Sequence, residues 1–183
     1  ATFSRFFFIS IKLKDHYSIL IPIHNEANSI PYLLKELKPY AKNGHEIIII
    51  NDGSTDKSID LLNQCDFINL LSLEKNKGKG TAVRYGLSIA KNDSIITFDG
   101  DMELLTKNIS RLMILNKKKE VNCVCGNRFN EIQKLLNIWN IGNLFFSFLF
   151  NFINKTNLKD VLCCAKSFYK KDLDLKKLKS KKF

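Results

Sequence analysis

The sequence predicts an α/β fold built on a mostly parallel sheet with helices on both faces. Four short runs rich in β-branched residues alternate with segments that have the apolar spacing of amphipathic helices. The run from Ile47 to Ile50 is apolar at every position, which is typical of a central strand covered on both sides. With 183 residues and 45% hydrophobic content, the chain is long enough for one domain with a continuous core, and two full domains are not expected.

Local signals place each element along the chain. The predicted strands cover residues 18–23, 46–51, 67–71 and 94–99. The first helix is predicted to begin after Asn28 or Ser29, so that Pro31 falls in its first turn and a leucine face meets the core. Thr55 or Asp56 is predicted to cap the second helix, and the third is predicted to begin near Thr81.

The cysteines indicate reduced thiols in a cytosolic setting. There are five, an odd number, with neither a regular disulfide framework nor paired CxxC spacing: Cys65, Cys123, Cys125, Cys163 and Cys164. Cys123 and Cys125 are two residues apart in an apolar stretch, so one strand would direct both thiols to the same face. Packing in the core is favoured there over metal binding.

Positive charge is concentrated at the end of the chain. The net charge is +11, and the segment from Lys166 to Phe183 has eight lysines and two aspartates, which supply +6 of it. The body is only mildly basic, which argues against a nucleic-acid-binding face. The tail is predicted to be solvated or to contact anionic lipid. Residues 6–11 are apolar but too few for a membrane span, and no cleavage pattern of a signal peptide follows them.

Polar and acidic groups follow the predicted strands. Ligands bind beyond the carboxyl ends of strands in sheets of this type, so these segments should contain the functional residues. Asp99-Gly100-Asp101 leaves the fourth strand with two carboxylates and a glycine that permits a sharp turn. Mg²⁺ or Mn²⁺ is typically held by one or two carboxylates plus phosphate oxygens. Most isolated Asp-x-Asp triplets are solvated turns. The position of this triplet at the end of a strand favours a metal site over such a turn.

Two more segments at this edge are candidate ligand contacts. Asp52 closes the second strand and is predicted to accept hydrogen bonds from a base or a ribose hydroxyl, whereas Ser54 to Asp56 are interpreted as a turn and helix cap. Lys79 lies in a glycine-containing segment before the third helix. This segment is expected either to bind an anion through its backbone amides and the lysine charge, or to be a plain turn that leads into the helix. The spacing fits neither a dinucleotide fingerprint nor a P-loop.

These segments together resemble a known family. Residues 21–26, 51–56, 76–84 and 99–101 are similar, in order and spacing, to the family-two inverting glycosyltransferases, in particular the dolichyl- or polyprenyl-phosphate glucosyl- and mannosyltransferases. The resemblance implies a GT-A, Rossmann-like fold over residues 17–169, with an extension at 1–16 and a basic tail at 170–183. It also implies a domain truncated at its C-terminal end, since the family's later segment is not matched.

The resemblance also implies roles for individual residues. The nucleotide is expected to contact Pro22, His24, Glu26, Asp52, Lys79, Asp99 and Gly100. Asp99 and Asp101 are expected to bind the metal, Mg²⁺ or Mn²⁺, and to act in catalysis. Gly126-Asn127-Arg128 resembles the family's Gly-Ser-Arg, so Arg128 is expected to meet the acceptor phosphate, although a surface ion pair is equally compatible with the residues. Lys166 is expected at the same phosphate. Residues 160–166 resemble the family's Asp-x-x-Cys-Gly-Phe-Lys segment, in which Cys164 and Ala165 here replace the glycine and the aromatic residue. Asn137 and Asn140 stand where related enzymes usually have an arginine and a serine for the lipid phosphate.

The implied reaction moves a hexose from a nucleotide-diphosphate sugar of the UDP-glucose or GDP-mannose type to a polyprenyl or dolichyl phosphate, with inversion. A phosphate acceptor is largely dianionic at neutral pH and needs no general base. The alternatives are a family member that binds sugar nucleotide without turnover, and transfer to a glycan or another hydroxyl. A phosphatase with Asp99 as nucleophile is disfavoured, because the strand comes fourth and Met102-Glu103 follow.

The lipid acceptor implies peripheral contact with the cytoplasmic face of a membrane. Residues 135–153 are rich in large apolar side chains but are interrupted by asparagines, so this segment is not expected to span a bilayer. It is interpreted as an interfacial helix, as a long helix packed on the sheet, or as one of these in each half. The sequence favours none of these.

Overall fold

A computed structural model describes residues 15–127 and 138–174, with the side chains of 138–141 left out. The strands are β1 (Tyr17–Ile23), β2 (Glu46–Asp52), β3 (Asn69–Leu73), β4 (Ser94–Thr97), β5 (Cys123–Cys125) and β6 (Lys166–Tyr169). The α-helices are α1 (Ile30–Lys42), α2 (Ser58–Asn63), α3 (Lys79–Ile89), α4 (Ile109–Leu112) and α5 (Ile138–Asn154).

The six strands form one mixed sheet in the order β3-β2-β1-β4-β6-β5. β1 pairs in parallel with both β2 and β4, and β2 pairs in parallel with β3. β6 runs antiparallel to β4 and to β5, and so extends the sheet on that side. The prediction of a mostly parallel α/β sheet is confirmed, and the carboxyl ends of the four parallel strands meet at one edge.

The core lies on both faces of the sheet, which explains the uninterrupted apolar run in β2. Ile47 and Ile49 point to the face covered by α1, and Ile48 and Ile50 point to the face covered by α3. All four side chains are buried. Alternate residues of a strand face opposite sides, so helices on both faces require apolar residues at every position.

Helix and strand boundaries follow the predictions with small shifts. Ser29 is the N-cap of α1 and Pro31 lies in its first turn, as predicted. α2 begins at Ser58, where Asp56 Oδ1 accepts a hydrogen bond from the Ser58 amide at 2.9 Å. α3 begins at Lys79, two residues earlier than expected, after Gly78 with a φ of 87°. β3 spans residues 69–73 instead of 67–71, and β4 ends at Thr97 instead of at residue 99.

The two cysteines of β5 correct one prediction. Their thiols do share a face, with the two Sγ atoms 4.0 Å apart, but Cys123 is exposed and Cys125 is half-buried. β5 is the outermost strand of the sheet, so this face is incompletely covered. The expectation that both thiols pack in the core is therefore wrong.

Candidate active site

A cleft of about 450 Å³ opens at the carboxyl edge of the parallel strands. Its lining comes from the last residues of β1 and β2, the segments after β1, β3 and β4, and the first residue of α3. It includes every residue predicted to contact the nucleotide or the metal. The lining residues are Pro22, Ile23, His24, Glu26, Asp52, Asn76, Gly78, Lys79, Asp99, Gly100 and Asp101. The expected convergence of acidic groups from separate strands is present, because Asp52 lines the same cleft as Asp99 and Asp101.

His24 forms one wall of the cleft and is held in a defined orientation. Its Nδ1 lies 2.8 Å from the backbone oxygen of Asp52, and its Nε2 lies 3.4 Å from the Asn25 side-chain nitrogen. A carbonyl oxygen only accepts hydrogen bonds, so Nδ1 carries the proton and donates. His24 is exposed in this orientation.

The loops after β1 and β2 hold each other in place. The Asn25 amide donates to Ser54 Oγ at 2.9 Å, and the Thr55 amide donates to Asn25 Oδ1 at 2.8 Å. Asp56 Oδ2 accepts from the Ala27 amide at 3.0 Å. Residues 54–56 thus form the turn interpreted from the sequence, and they also fix the loop that carries His24 and Glu26. The N-cap of α2 is Lys57, so the prediction that Thr55 or Asp56 occupies this position is wrong, although the Asp56 side chain accepts from the Ser58 amide in the first turn.

Asp52 is buried, with 4% exposure, and its carboxylate organises the loop before α3. Oδ1 accepts from the Lys77 amide at 2.8 Å, and Oδ2 accepts from the Gly78 amide at 2.9 Å. Gly53 makes this approach possible, because a Cβ there would lie 2.4 Å from the backbone of Lys75 and Asn76. The structure thus gives Asp52 a role that was not predicted, as the anchor of this loop. A contact between Asp52 and a nucleoside stays a prediction.

Asp99 and Asp101 differ in environment. Asp99 is partly buried and forms an ion pair with the ammonium of Lys79. Asp101 is exposed, and its Oδ1 accepts from the Glu103 amide at 2.9 Å. Burial lowers the pKa of Lys79, but the neighbouring Cys164 and Asp99 outweigh this and leave the pKa raised. Lys79 is therefore charged at neutral pH.

Gly100 is required for a different reason from the one predicted. The left-handed conformation occurs at Met102, with a φ of 62°, and Gly100 does not have a positive φ. A Cβ at Gly100 would lie 2.5 Å from Cγ2 of Ile23, so the glycine permits close packing of this segment against β1. The sharp turn expected at Gly100 is thus made two residues later.

The chemistry of these donors suits a hard divalent cation. Asp99 already binds a cationic group, and Asp101 offers a carboxylate on the same wall of the cleft. Among the described residues, no three His, Cys, Asp or Glu side chains are grouped as a complete metal site. Two carboxylates nevertheless fit Mg²⁺ or Mn²⁺, which take their remaining ligands from phosphate and water.

Cys164 also belongs to this cluster, and sequence reasoning assigned it no role. Its thiol interacts with both Asp99 and Lys79. Burial, followed by the charge of Asp99, raises the pKa of the thiol to about 11, so Cys164 is protonated at neutral pH. The one signal in the sequence that could have drawn attention to Cys164 is that it replaces the glycine of the family's segment.

The predicted acceptor residues are only partly described. Arg128 and Asn137 lie outside the described residues, as does the side chain of Asn140. Lys166 is half-buried in β6, and its ammonium donates to the Val161 carbonyl at 3.1 Å. Lys166 is not among the residues that line the cleft in the described part of the chain. Its role at an acceptor phosphate stays a prediction.

Helix α5 has its polar side toward the protein and its apolar side outward. Ser147 is buried and accepts from the Val161 amide at 3.2 Å, and Asn151 accepts from the Leu158 amide at 3.0 Å. The opposite side exposes large apolar side chains: Phe145, Phe146, Phe148, Leu149, Phe152 and Ile153. Packing on the sheet, one of the interpretations of this segment, does not account for this exposed face.

None of the helices within residues 15–127 and 138–174 has the length and apolar content that crossing a bilayer requires.

Comparison of the chain with known proteins identifies its family. The model of glycosyl transferase family 2 matches residues 18–175. The undecaprenyl-phosphate 4-deoxy-4-formamido-L-arabinose transferase of Pseudomonas fluorescens is 34% identical over 137 residues, which cover 66% of this chain and 40% of that protein. Its counterpart in Photorhabdus laumondii is 35% identical over 104 residues, covering 52% and 32%. The chain thus spans less than half the length of these relatives.

Solved structures show the same fold. Glucosyl-3-phosphoglycerate synthase of Mycobacterium tuberculosis in complex with uridine diphosphate superposes with a TM-score of 0.65 at 16% identity, covering 86% of this chain and 57% of that one. The same synthase with Mn²⁺, uridine diphosphate and phosphoglyceric acid gives a TM-score of 0.62 at 16% identity, covering 86% and 56%. The six-stranded sheet is therefore a GT-A, Rossmann-like sheet. With the family model matching most of its length, the chain belongs to glycosyl transferase family 2.

Proposed function

We propose that the chain transfers a sugar from a nucleotide-diphosphate sugar to a polyprenyl or dolichyl phosphate, with inversion at the anomeric carbon. The observation that carries this proposal is the cleft in which Asp52 at the end of β2, Lys79 at the start of α3, and Asp99 and Asp101 after β4 converge. The names of the undecaprenyl-phosphate sugar transferases, to which the chain is 34–35% identical, support a polyprenyl phosphate acceptor. A hexose of the UDP-glucose or GDP-mannose type stays a prediction from the sequence.

Each side of the cleft has a proposed partner. The wall formed by Pro22, His24 and Glu26 would receive the base and ribose, with the exposed His24 ring as a stacking surface. Asp99 and Asp101 would hold Mg²⁺ or Mn²⁺ together with the diphosphate. This ion supplies charge stabilisation to the leaving diphosphate. The Mn²⁺ and uridine diphosphate in the synthase that shares this fold support the assignment by analogy.

A phosphate acceptor fits the distribution of carboxylates. Outside the Asp99 and Asp101 pair, Asp160 is buried, with 2% exposure, and Glu103 is exposed but is not among the described residues that line the cleft. Neither is well placed to deprotonate an incoming hydroxyl. A phosphomonoester has a second pKa near 6, is largely dianionic at neutral pH and attacks without a base. The chain then has to align the two substrates and exclude water.

The test is a transfer assay with two matched acceptors. The full chain is incubated with Mn²⁺, radiolabelled UDP-glucose or GDP-mannose, and either polyprenyl phosphate or the corresponding polyprenol. We expect label in the lipid phase only with the phosphate, and its loss in Asp99→Asn but not in Asp60→Asn, an exposed acid on α2. Equal transfer to polyprenol would favour a hydroxyl acceptor. Nucleotide binding without transfer to either lipid would favour the alternative of a family member without turnover.

We further propose that α5 is the membrane-contacting element. Its exposed apolar face is contiguous, because Phe145, Phe148, Leu149 and Phe152 follow helical spacing. Large exposed apolar faces mark interaction surfaces, and a lipid acceptor makes the bilayer interface the fitting partner. Lys155 and Lys159 follow the helix and are exposed, so they are available to anionic headgroups.

Flotation with vesicles of neutral and anionic phospholipids tests this assignment. We expect Phe148→Asp and Phe152→Asp to reduce vesicle binding at least about tenfold, because each removes an apolar side chain and adds a charge that resists burial. Tyr32→Asp, at an exposed aromatic residue on α1, is the matched control and should bind as the unmodified chain does. Equal binding of all four proteins would exclude α5 as the membrane contact.

A further inference from the structure

The ion pair between Lys79 and Asp99 occupies the place where the proposed divalent ion would bind. Lys79 is the first residue of α3, and its ammonium contacts Asp99 Oδ1 inside the cleft. The two side chains are 38% and 23% exposed, so the pair is partly shielded from water.

Two backbone amides of the loop before α3 already have hydrogen-bond partners within the protein. The amides of Lys77 and Gly78 both donate to Asp52, so they are not free to bind a diphosphate, which was one of the two interpretations of this glycine-containing segment. Of the described residues lining the cleft, Lys79 is the one with a cationic side chain. The loop therefore offers the diphosphate a side-chain charge and not a backbone cradle at residues 77 and 78.

Two cations on one carboxylate repel each other. A divalent ion bound to Asp99 would lie close to the Lys79 ammonium if that ammonium stayed in place. The flexible four-carbon stem of lysine allows its charge to move by several ångströms without a change in the helix. The diphosphate that arrives with the metal supplies a new anionic partner on the same side of the cleft.

We propose that Lys79 is an exchangeable counter-cation, which neutralises Asp99 while the metal is absent and transfers to the diphosphate when the metal and nucleotide bind. The inference rests on the proposed function and assigns to Lys79 a positioning role within it. Lys79 thus opposes metal binding to the free protein and favours nucleotide binding to the metal-loaded protein. These two effects have opposite signs, which distinguishes the exchange from a purely structural ion pair.

The test measures both affinities in one variant. Lys79→Met keeps the length of the side chain and removes its charge. Mn²⁺ binding without nucleotide, followed by electron paramagnetic resonance of the free ion, should tighten about threefold, as expected for loss of a partly exposed competing charge. Binding of UDP or GDP at saturating Mn²⁺, followed by calorimetry, should weaken about tenfold or more through loss of a charge-assisted contact.

Lys77→Met is the matched control. The Lys77 ammonium lies over the Tyr85 ring, 5.6 Å from its centre, and its backbone amide still reaches Asp52 after the substitution. Both affinities should stay unchanged in this variant. In Lys79→Met/Asp101→Ala the gain in Mn²⁺ affinity should disappear, which would locate the gain at this site.

The outcomes separate the inference from the function on which it rests. If the unmodified chain binds neither nucleotide in Mn²⁺, the proposed function fails. If it binds one of them, but a folded Lys79→Met variant shows unchanged or weaker Mn²⁺ binding, the exchange is refuted and the function is not. Circular dichroism and thermal unfolding establish that the variant is folded.

Discussion

At the scale of single residues, Asp52 shows how one carboxylate links the fold to the cleft. It lies at the end of β2, is buried, and its two oxygens accept the amides of Lys77 and Gly78. An acidic residue after a strand was recognisable in the sequence. Its partners were not, because they lie 25 and 26 residues further along the chain and depend on how the loop after β3 folds back.

Replacing Asp52 by Asn tests this anchoring role. One oxygen becomes an NH₂ group that cannot accept, so one of the two loop amides loses its partner. We expect the free energy of unfolding to fall by about 1–2 kcal/mol, the usual effect of an unmade hydrogen bond at a partly buried donor. Urea unfolding measures it, with Asp60→Asn as the exposed control. Equal stability of the two variants would show that the contacts of Asp52 do not stabilise the loop.

The paired thiols of Cys123 and Cys125 give a second residue-scale prediction. The hydrogen bond from Cys123, opposed by burial and assisted by the charge of Lys166, lowers the pKa of Cys125 to about 6, and that of Cys123 is raised. The thiolate is the reactive form, so alkylation of Cys125 should rise as the pH passes about 6 and level off near neutral pH.

Iodoacetamide labelling at a series of pH values, read by peptide mass spectrometry, measures this curve. In Cys123→Ala the hydrogen-bond donor is gone, and the inflection for Cys125 should move toward the ordinary thiol value of about 8.5. Cys65, a half-buried cysteine on a separate part of the chain, serves as the internal control. An inflection for Cys125 that is the same with and without Cys123 would contradict the assigned cause.

At the scale of elements, the strands that build the cleft were predictable because each carries its signal locally. β-Branched runs followed by polar residues placed β1, β2 and β4 to within a residue or two. β3 was placed two residues early, since Phe67 and Ile68 are apolar but pack against the core before the strand begins. The contact of Cys164 with Asp99 and Lys79 depends on the antiparallel pairing of β6 with β4. No local sequence pattern predicts this pairing.

Alanine substitutions at Gly100 and Gly142 test how closely the elements pack at these two positions. A Cβ at Gly100 would lie 2.5 Å from Ile23 Cγ2, so Gly100→Ala should lower the free energy of unfolding by about 1–3 kcal/mol through overpacking. Gly142 lies in α5, and among the described residues an added Cβ would meet no heavy atom within 4 Å beyond its chain neighbours and the helix's own backbone. Gly142→Ala should therefore raise the free energy of unfolding by about 0.5–1 kcal/mol through helix propensity. Urea unfolding of both variants provides the comparison. An unchanged or raised free energy of unfolding in Gly100→Ala would contradict the packing assigned to Gly100, and a lowered one in Gly142→Ala would contradict the open position assigned to Gly142.

At the scale of the whole molecule, the parallel strands gather four loops at one edge of the sheet. Asp52, Lys79, Asp99 and Asp101 are brought to one cleft although they are far apart in sequence. The order of the motifs predicted this gathering, because the carboxyl ends of parallel strands share an edge. The ion pair and the hydrogen bonds among these groups could not be predicted, since they depend on side-chain distances that the topology alone does not fix.

The most direct test of this account is a calorimetric titration of the full chain with UDP and GDP, in Mn²⁺ and in EDTA. We expect at least one nucleotide to bind in Mn²⁺, to lose its binding in EDTA, and to bind at least about tenfold more weakly to Asp101→Ala, in line with the loss of a metal contact. Equally tight binding in EDTA, or binding to folded Asp101→Ala with unchanged affinity, would contradict a cation on Asp99 and Asp101 that holds the diphosphate.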